Sequence, residues 1–254
     1  MEAALYAYAV VHRRHPLPDA EPVLPGATLR LIGAGAVAAL VSEVPRKLFE
    51  AGTACRTDDP DWVAERAAAH HGVISAATAD GPALPMAFGG LFSGADPLRA
   101  WLAPREQRLA TALGLVAECA EWTVRLSEDS ALHGRWLEDH DPALHGLAEE
   151  AATATPGRRF LLQRRLERDL AAARVAHGIA VGARVTAAIG GEGRAPRADA
   201  AQGRWSFLLP HAAVDRLRER LEATARDLAG CGFTLALSGP WPPYAFAREV
   251  NADA

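Results

Sequence analysis

Apolar residues over the first 45 positions come in short blocks bounded by proline and glycine. "LYAYAVV" at 5–11, "TLRLI" at 28–32 and "AVAALVSEV" at 36–44 each read as a strand, because small, β-branched and aromatic residues in such runs suit a pleated, buried surface. A loop with Pro16, Pro18, Pro22 and Pro25 separates the first block from the other two, and Pro45 closes the group. The period then lengthens. "DDPDWVAERAAAHHGVISAATA" at 58–79 predicts a helix with Asp59 as N-cap and Pro60 at the first helical position, with Val63, Ala67, His70, Ile74 and Ala77 along its apolar face. "ALPMAFGGLF" at 83–92 holds too much proline and glycine for a helix and predicts a short buried strand running into a turn. A helix is expected over 96–117, kinked or divided at Pro104.

A second pattern begins at "EWTVRLS", where Trp122, Val124 and Leu126 alternate with polar neighbours as in a strand with one buried face. Helical sequence follows over 130–150 and from Arg158 to His177, the latter with Leu162, Leu166 and Leu170 four apart. Residues 190–203 have no period and are expected to form a loop. "RWSFLL" at 204–209 reads as a strand. Pro210 is expected to open a helix with Val214, Leu217, Leu221, Ala225 and Leu228 on one face, and Phe233, Leu235 and Leu237 alternate in a last strand. Strand, helices, strand, helix, strand is a ferredoxin-like order with one strand unassigned. The expected class is therefore α+β with two domains, a mixed α+β one at 1–117 and a ferredoxin-like one at 118–254 with a helical insertion.

Composition narrows the function classes. A chain of 254 residues, half of them apolar, suffices for two cores. No apolar run reaches the roughly 18 residues of a membrane span, and the acidic Glu2 precedes the first apolar stretch where a leader would be basic. A formal charge of −4 gives no global attraction to nucleic acid or anionic lipid. Cys55, Cys119 and Cys231 are too few and too scattered for a disulfide framework or a cysteine zinc site. These features point to a cytoplasmic protein.

Four constellations invite a chemical reading. "GAGAVA" at 33–38, with Gly33 and Gly35, matches the dinucleotide fingerprint, yet Pro45 arrives too soon for a crossover helix, and a hairpin of small residues fits better. His133, His140 and His145, with Asp139 and Asp141, could ligate a divalent ion, but the spacing across Pro142 departs from one helical face, and solvated residues at a helix junction are the simpler reading. His70, on the apolar stripe beside His71, reads as a hydrogen-bonded core histidine. Arg158, Arg159, Arg164, Arg165, Arg168 and Arg174 face only Glu167 and Asp169 in their helix. That run could hold an acidic partner or RNA, or pair locally along a solvated face. Neither a nucleophile elbow nor a phosphate-binding loop is present.

The C-terminal "GPWPPYAF", residues 239–246, concentrates stiffness and apolar area. Pro240, Pro242 and Pro243 fix φ and remove donors, so the segment is expected to leave the strand at Ser238 in an extended path. A stiffened tail loses less entropy on ordering, which favours docking of Trp241, Tyr244 and Phe246, either as a latch over the final strand or against a partner.

"LSGPWPPYAFA" resembles the C-terminal signature of the gas vesicle protein F/L family (GvpF/GvpL). "LYAYAVV", "ALVSEVP", "DWVAERAAAHHGVI", "ALPMAFGGLF", "EWTVRL" and "RRFLLQRRLERD" follow in the family's order over nearly the whole chain. Two positions depart: Ala87 stands where an arginine is common, and Ala245 where serine is usual. The resemblance implies a non-enzymatic accessory protein for building gas vesicles, a minor component that contacts the hydrophobic shell protein of the GvpA type. It also implies two α+β domains, the second a modified ferredoxin-like fold. The family motifs are Gly239, Pro240, Trp241, Pro242, Pro243, Tyr244 and Phe246 at the end, and Pro85, Met86, Phe88 and Gly89 at the N-terminal turn. No catalytic, cofactor or metal residue is expected, nor any nucleic acid or membrane as partner.

Overall fold

The computed structural model describes residues 2–49, 59–199 and 202–250. The chain divides into two compact units, one made of the residues up to 121 together with those from 239 onward, the other of residues 122–238. The expected division lay at 117/118 and assigned the terminal motif to the second domain. In the structure that motif returns to the first unit, because its partners are there.

In the first unit, β1 (Ala3–His12) is the central strand. It runs antiparallel to β3 (Val37–Pro45) on one side and to β4 (Ala83–Pro85) and β5 (Leu91–Phe92) on the other, while β2 (Arg30–Ala34) pairs antiparallel with β3. Every residue from Ala4 to Val11 is buried. Ala7 pairs with Val41 and Ala9 with Leu40, so Tyr8 is the extra residue of a β-bulge. The bulge resets the alternation: Ala4, Tyr6 and Tyr8 before it and Ala9 and Val11 after it join one core cluster with Val73, Ile74 and Ala77 of α1 (Pro60–Asp80). A single strand thereby presents both of its tyrosines to the same helix.

Asp59 caps α1, accepting from the N–H groups of Asp61 and Trp62, with Pro60 as first residue. The buried face follows expectation from His70 onward. Towards the N-terminus it is shifted by one residue, with Trp62 buried and Val63 and Ala67 only half-buried. The Trp62 ring packs against Phe49 with centroids 5.4 Å apart, and the larger apolar side chain sets the phase. The next helix is divided at Pro104 into α2 (Ala95–Leu102) and α3 (Glu106–Val116) by a short 3₁₀ turn.

The second unit holds a four-stranded sheet in the order β7 (Arg194–Asp199), β8 (Arg204–Pro210), β6 (Cys119–Glu128), β9 (Phe233–Trp241). With the first and third strands innermost, this is the ferredoxin-like order. Three helices, α4 (Ser130–His140), α5 (Pro142–Thr153) and α6 (Pro156–Ile189), stand between β6 and β7. The aperiodic stretch at 190–203 contains the missing strand. β7 lies at the sheet edge, its register with β8 breaks between Arg194 and Arg197, and an edge position tolerates the intervening Pro196.

Other boundaries also moved. β6 is buried on both faces from Cys119 to Val124, and Thr123 is satisfied there by Ser206 Oγ at 3.0 Å. α6 continues past His177 because Val181, Val185 and Ile189 are buried. Pro210 ends β8, and α7 (Val214–Asp227) starts after a 3₁₀ turn. Cys119 and Cys231 are buried; Cys55 lies outside the described residues. No described helix is long and apolar enough to cross a membrane.

Candidate functional site

The adjacent histidines of α1 reach the two motif segments separately. His70 serves the N-terminal turn. Its Nε2 lies 3.3 Å from the Met86 carbonyl and its Nδ1 3.0 Å from the Tyr6 hydroxyl. One neutral tautomer satisfies both contacts: Nε2–H donates to Met86, and Nδ1 accepts from Tyr6. Tyr6 oxygen in turn accepts the Gly89 N–H at 3.1 Å. Burial pushes His70 down to about 4, against a smaller upward effect of the Met86 bond, and burial pushes Tyr6 upward. Both side chains are therefore held neutral, as a core hydrogen-bond pair should be.

The turn itself closes through the Gly90 N–H to the Ala87 carbonyl at 3.1 Å. Gly89 sits third in it with φ +83°, a conformation glycine adopts without strain. Pro85 and Met86 are buried, while Ala87 is exposed and Phe88 is 38 % exposed, with its ring edge-on to Tyr6 and His70. An arginine at position 87 would extend into solvent from this turn, so its absence leaves the network beneath intact.

His71 serves the C-terminal motif. Tyr244 oxygen lies 2.7 Å from His71 Nδ1, and the two rings stack with centroids 5.9 Å apart. Burial, with a further contribution from the Glu121 charge, pushes Tyr244 up to about 12. The phenol thus keeps its proton and donates it to Nδ1, leaving Nε2–H for Ser75 Oγ at 3.3 Å. Glu121, itself buried, accepts the Ala245 N–H through Oε2 at 2.8 Å. That carboxylate sits at the start of a short terminal helix, α8 (Tyr244–Val250), where unpaired N–H groups favour negative charge. The bond uses the main chain, so alanine in place of serine at 245 does not disturb it.

The expected extended path and latch over the last strand are corrected here. β9 continues through Gly239 and Pro240, joined by a cis peptide, to Trp241; as an edge strand it tolerates the proline. Pro242 and Pro243 are buried, and the chain then turns into α8. Tyr244 packs on the core cluster of the first unit. Phe246 is half-buried beside Pro104 and Leu115 in a groove along α3, whereas Trp241 remains 42 % exposed, tilted against His71.

"GAGAVA" forms the β2–β3 hairpin, with Ala34 paired to Val37 and Gly35 at φ +58°. Glu106 Oε1 accepts the Ala36 N–H at 2.7 Å. The loop amide is thus taken by a carboxylate, which is the wrong charge for a pyrophosphate neighbour.

The three histidines of the second unit are not brought together. His133 is fully buried, with Nδ1 2.8 Å from Glu128 Oε1 and Nε2 2.8 Å from His177 Nδ1. Arg174 reaches the same Glu128 oxygen at 2.7 Å. Burial pushes Glu128 upward, but the His133 and Arg174 contacts outweigh it and hold the carboxyl below its ordinary range. His177 is lowered by burial first, then by His133 and Arg184. Trp136 lies between the rings of His140 and His177 at 4.5 and 4.8 Å, and His145 faces Glu149 in solvent. Among the described residues no three His, Cys, Asp or Glu side chains converge as a metal site would require. His177 and Glu128 were missed because their relation to His133 spans turns of chain that no local period links.

The arginine run resolves into local pairs and interhelical ties. Arg164 meets Glu167, and Arg165 and Arg168 meet Asp169. Arg158 pairs with Glu150, and Arg159 donates to the Ala151, Ala152 and Ala154 carbonyls at the end of α5.

A family model described as "Gas vesicle synthesis protein GvpL/GvpF" matches residues 4–248. Gas vesicle protein F of a Streptomyces species is 30 % identical, over 96 % of this chain and 99 % of its own. Gas vesicle protein L2 of Halobacterium salinarum is 29 % identical over 89 % of this chain and 84 % of its own. The crystal structure of gas vesicle protein GvpF from Anabaena sp. PCC7120 superposes with a TM-score of 0.73 at 14 % identity, covering 96 % of this chain and 98 % of that one.

Proposed function

The chain belongs to the GvpL/GvpF family of gas vesicle synthesis proteins and has an accessory role in gas vesicles; from that premise we propose that it acts without catalysis, by binding the hydrophobic shell protein of the GvpA type and helping to nucleate or build the shell. The observation that carries this reading is the family match from residue 4 to residue 248.

The physical task follows from what a gas-filled shell demands. Its subunits must present apolar surface to the gas space, and before assembly that surface is an aggregation hazard. A partner that covers it keeps the subunit competent. The exposed apolar side chains of α6, with Val175 at 65 % and Ile179 at 70 % exposure one helical turn apart, support a role in apolar contact. Association with the gas vesicle is the corresponding location.

Two measurements test the reading. The shell protein should co-purify with this chain and stay bound in several hundred millimolar salt, where exposed ionic contacts are screened. Deleting the gene from a vesicle-forming cluster should abolish or malform the vesicles seen by electron microscopy. Normal vesicles in the deletion strain would refute the proposal.

A further inference from the structure

Among the described residues, two of the three faces of α6 are used in packing. Leu162, Leu166 and Leu170 are half-buried on the side that packs with α5, and Val181, Val185 and Ile189 are buried. The third face carries Leu161, Arg164, Arg168, Ala172, Val175 and Ile179, spaced by three, four or seven residues as one helical stripe requires. Leu161, Val175 and Ile179 are 68, 65 and 70 % exposed.

The C-terminal half of this stripe borders a groove of about 960 Å³ whose opposite wall includes Leu126 of β6 and Phe233 of β9. Gly178 and Gly182 line it, and a side chain added at either would meet nothing within 4 Å. A second backbone can therefore come close to the α6 backbone there. Further along, among the described residues, Arg164 pairs with Glu167 and Arg165 and Arg168 with Asp169, with the Arg164 and Arg168 side chains 71 and 73 % exposed. The stripe is apolar over its C-terminal half, whereas in its N-terminal half Leu161 is followed by the charged Arg164 and Arg168.

We propose that this face docks one amphipathic helix of another polypeptide, with its apolar side against Val175, Ile179 and the groove and carboxylates at one end meeting Arg164 and Arg168. From Leu161 to Ala183 the stripe runs about 33 Å, the length of a helix of about 20 residues. Charge fixes the occupant's chemistry and its direction: an acidic end lies over the arginines, and a basic end would be repelled. The inference does not depend on which gas vesicle component supplies the helix.

The test uses the full chain and two fluorescent synthetic helices of about 20 residues, alike in their apolar stripe, one ending in glutamates and the other in lysines. Anisotropy at low salt should give binding of the glutamate helix, and weaker binding of the lysine helix by roughly tenfold or more. Ile179→Glu should weaken the glutamate helix by roughly tenfold, and Arg164→Glu with Arg168→Glu should reverse the charge preference. Both sites are exposed, so circular dichroism should be unchanged; Val175→Ser is a second, milder variant. Equal binding of the two helices, or indifference to Ile179→Glu, overturns the proposal. So does Ile179-dependent self-association, or capture by polyanion resin or anionic vesicles in place of the helix.

Discussion

The hydroxyl of Tyr244 donates to Nδ1 of His71 across 2.7 Å, joining a residue five places past the start of the terminal motif to the middle of α1. Removing the hydroxyl alone, in Tyr244→Phe, keeps the ring stack and should cost about 1 kcal/mol. Tyr244→Ala also removes the packing and should cost about 3 kcal/mol. Urea midpoints of the two variants measure the difference. Equal midpoints for wild type and Tyr244→Ala would mean that the terminal motif contributes nothing to the first unit.

Glu121 supplies the second tie, through the Ala245 N–H. Glu121→Ala should destabilise by about 1 to 2 kcal/mol, since a donor at a helix start loses its charged acceptor. Ala245→Ser, by contrast, should stay within about 0.5 kcal/mol, because the bond belongs to the backbone. Thermal denaturation of both variants separates a main-chain role from a side-chain one.

His70 makes stability depend on acid. It titrates near 6.5 when unfolded and about 4 when folded, so between those values the unfolded chain binds a proton that the folded chain refuses. The contribution is complete above pH 6.5, falls as the pH drops, and is lost through pH 4, a total of about 3 kcal/mol. His177, also lowered, acts in the same direction. Wild type should lose more stability than His70→Gln between pH 7.5 and pH 4.5; parallel losses would contradict the buried, neutral assignment.

At Gly35 both conformation and space oppose a side chain: φ is +58°, and a Cβ would meet the Glu106 carboxylate. Gly35→Ala should cost about 1 to 3 kcal/mol, and a thermal shift shared by Glu106→Ala in the double variant would show that the two effects are coupled. Simple additivity would mean the hairpin and the carboxylate act separately.

His133→Ala should leave Glu128 and His177 without their shared partner and lower stability by about 2 to 4 kcal/mol. Added zinc should not raise the melting temperature of the wild-type chain, because the Glu128 and His177 bonds already take both ring nitrogens of His133. A zinc-dependent stabilisation lost in His133→Ala would reverse this assignment.

Much of this architecture was written locally. Asp59 followed by Pro60 announces the start of α1, Pro104 divides α2 from α3, and Gly35 with its small neighbours marks the hairpin, because capping, proline geometry and positive φ are properties of a few adjacent residues. The terminal and N-terminal motifs were legible for the same reason and carried the family resemblance. Their mechanical role was not: nothing near position 70 says that one histidine reaches Met86 and the next reaches Tyr244.

What the sequence alone determined, then, is the set of elements whose period or punctuation is complete within one segment. What tertiary structure decided is everything defined by a partner: β7, which is a strand because β8 lies beside it; the bulge at Tyr8, set by the β3 register; α6 beyond His177, kept helical by the burial of Val181, Val185 and Ile189; and the place of Tyr244. Periodicity is encoded over a few residues, whereas burial and hydrogen bonds between distant segments exist only once the chain has brought them within a few ångströms of each other.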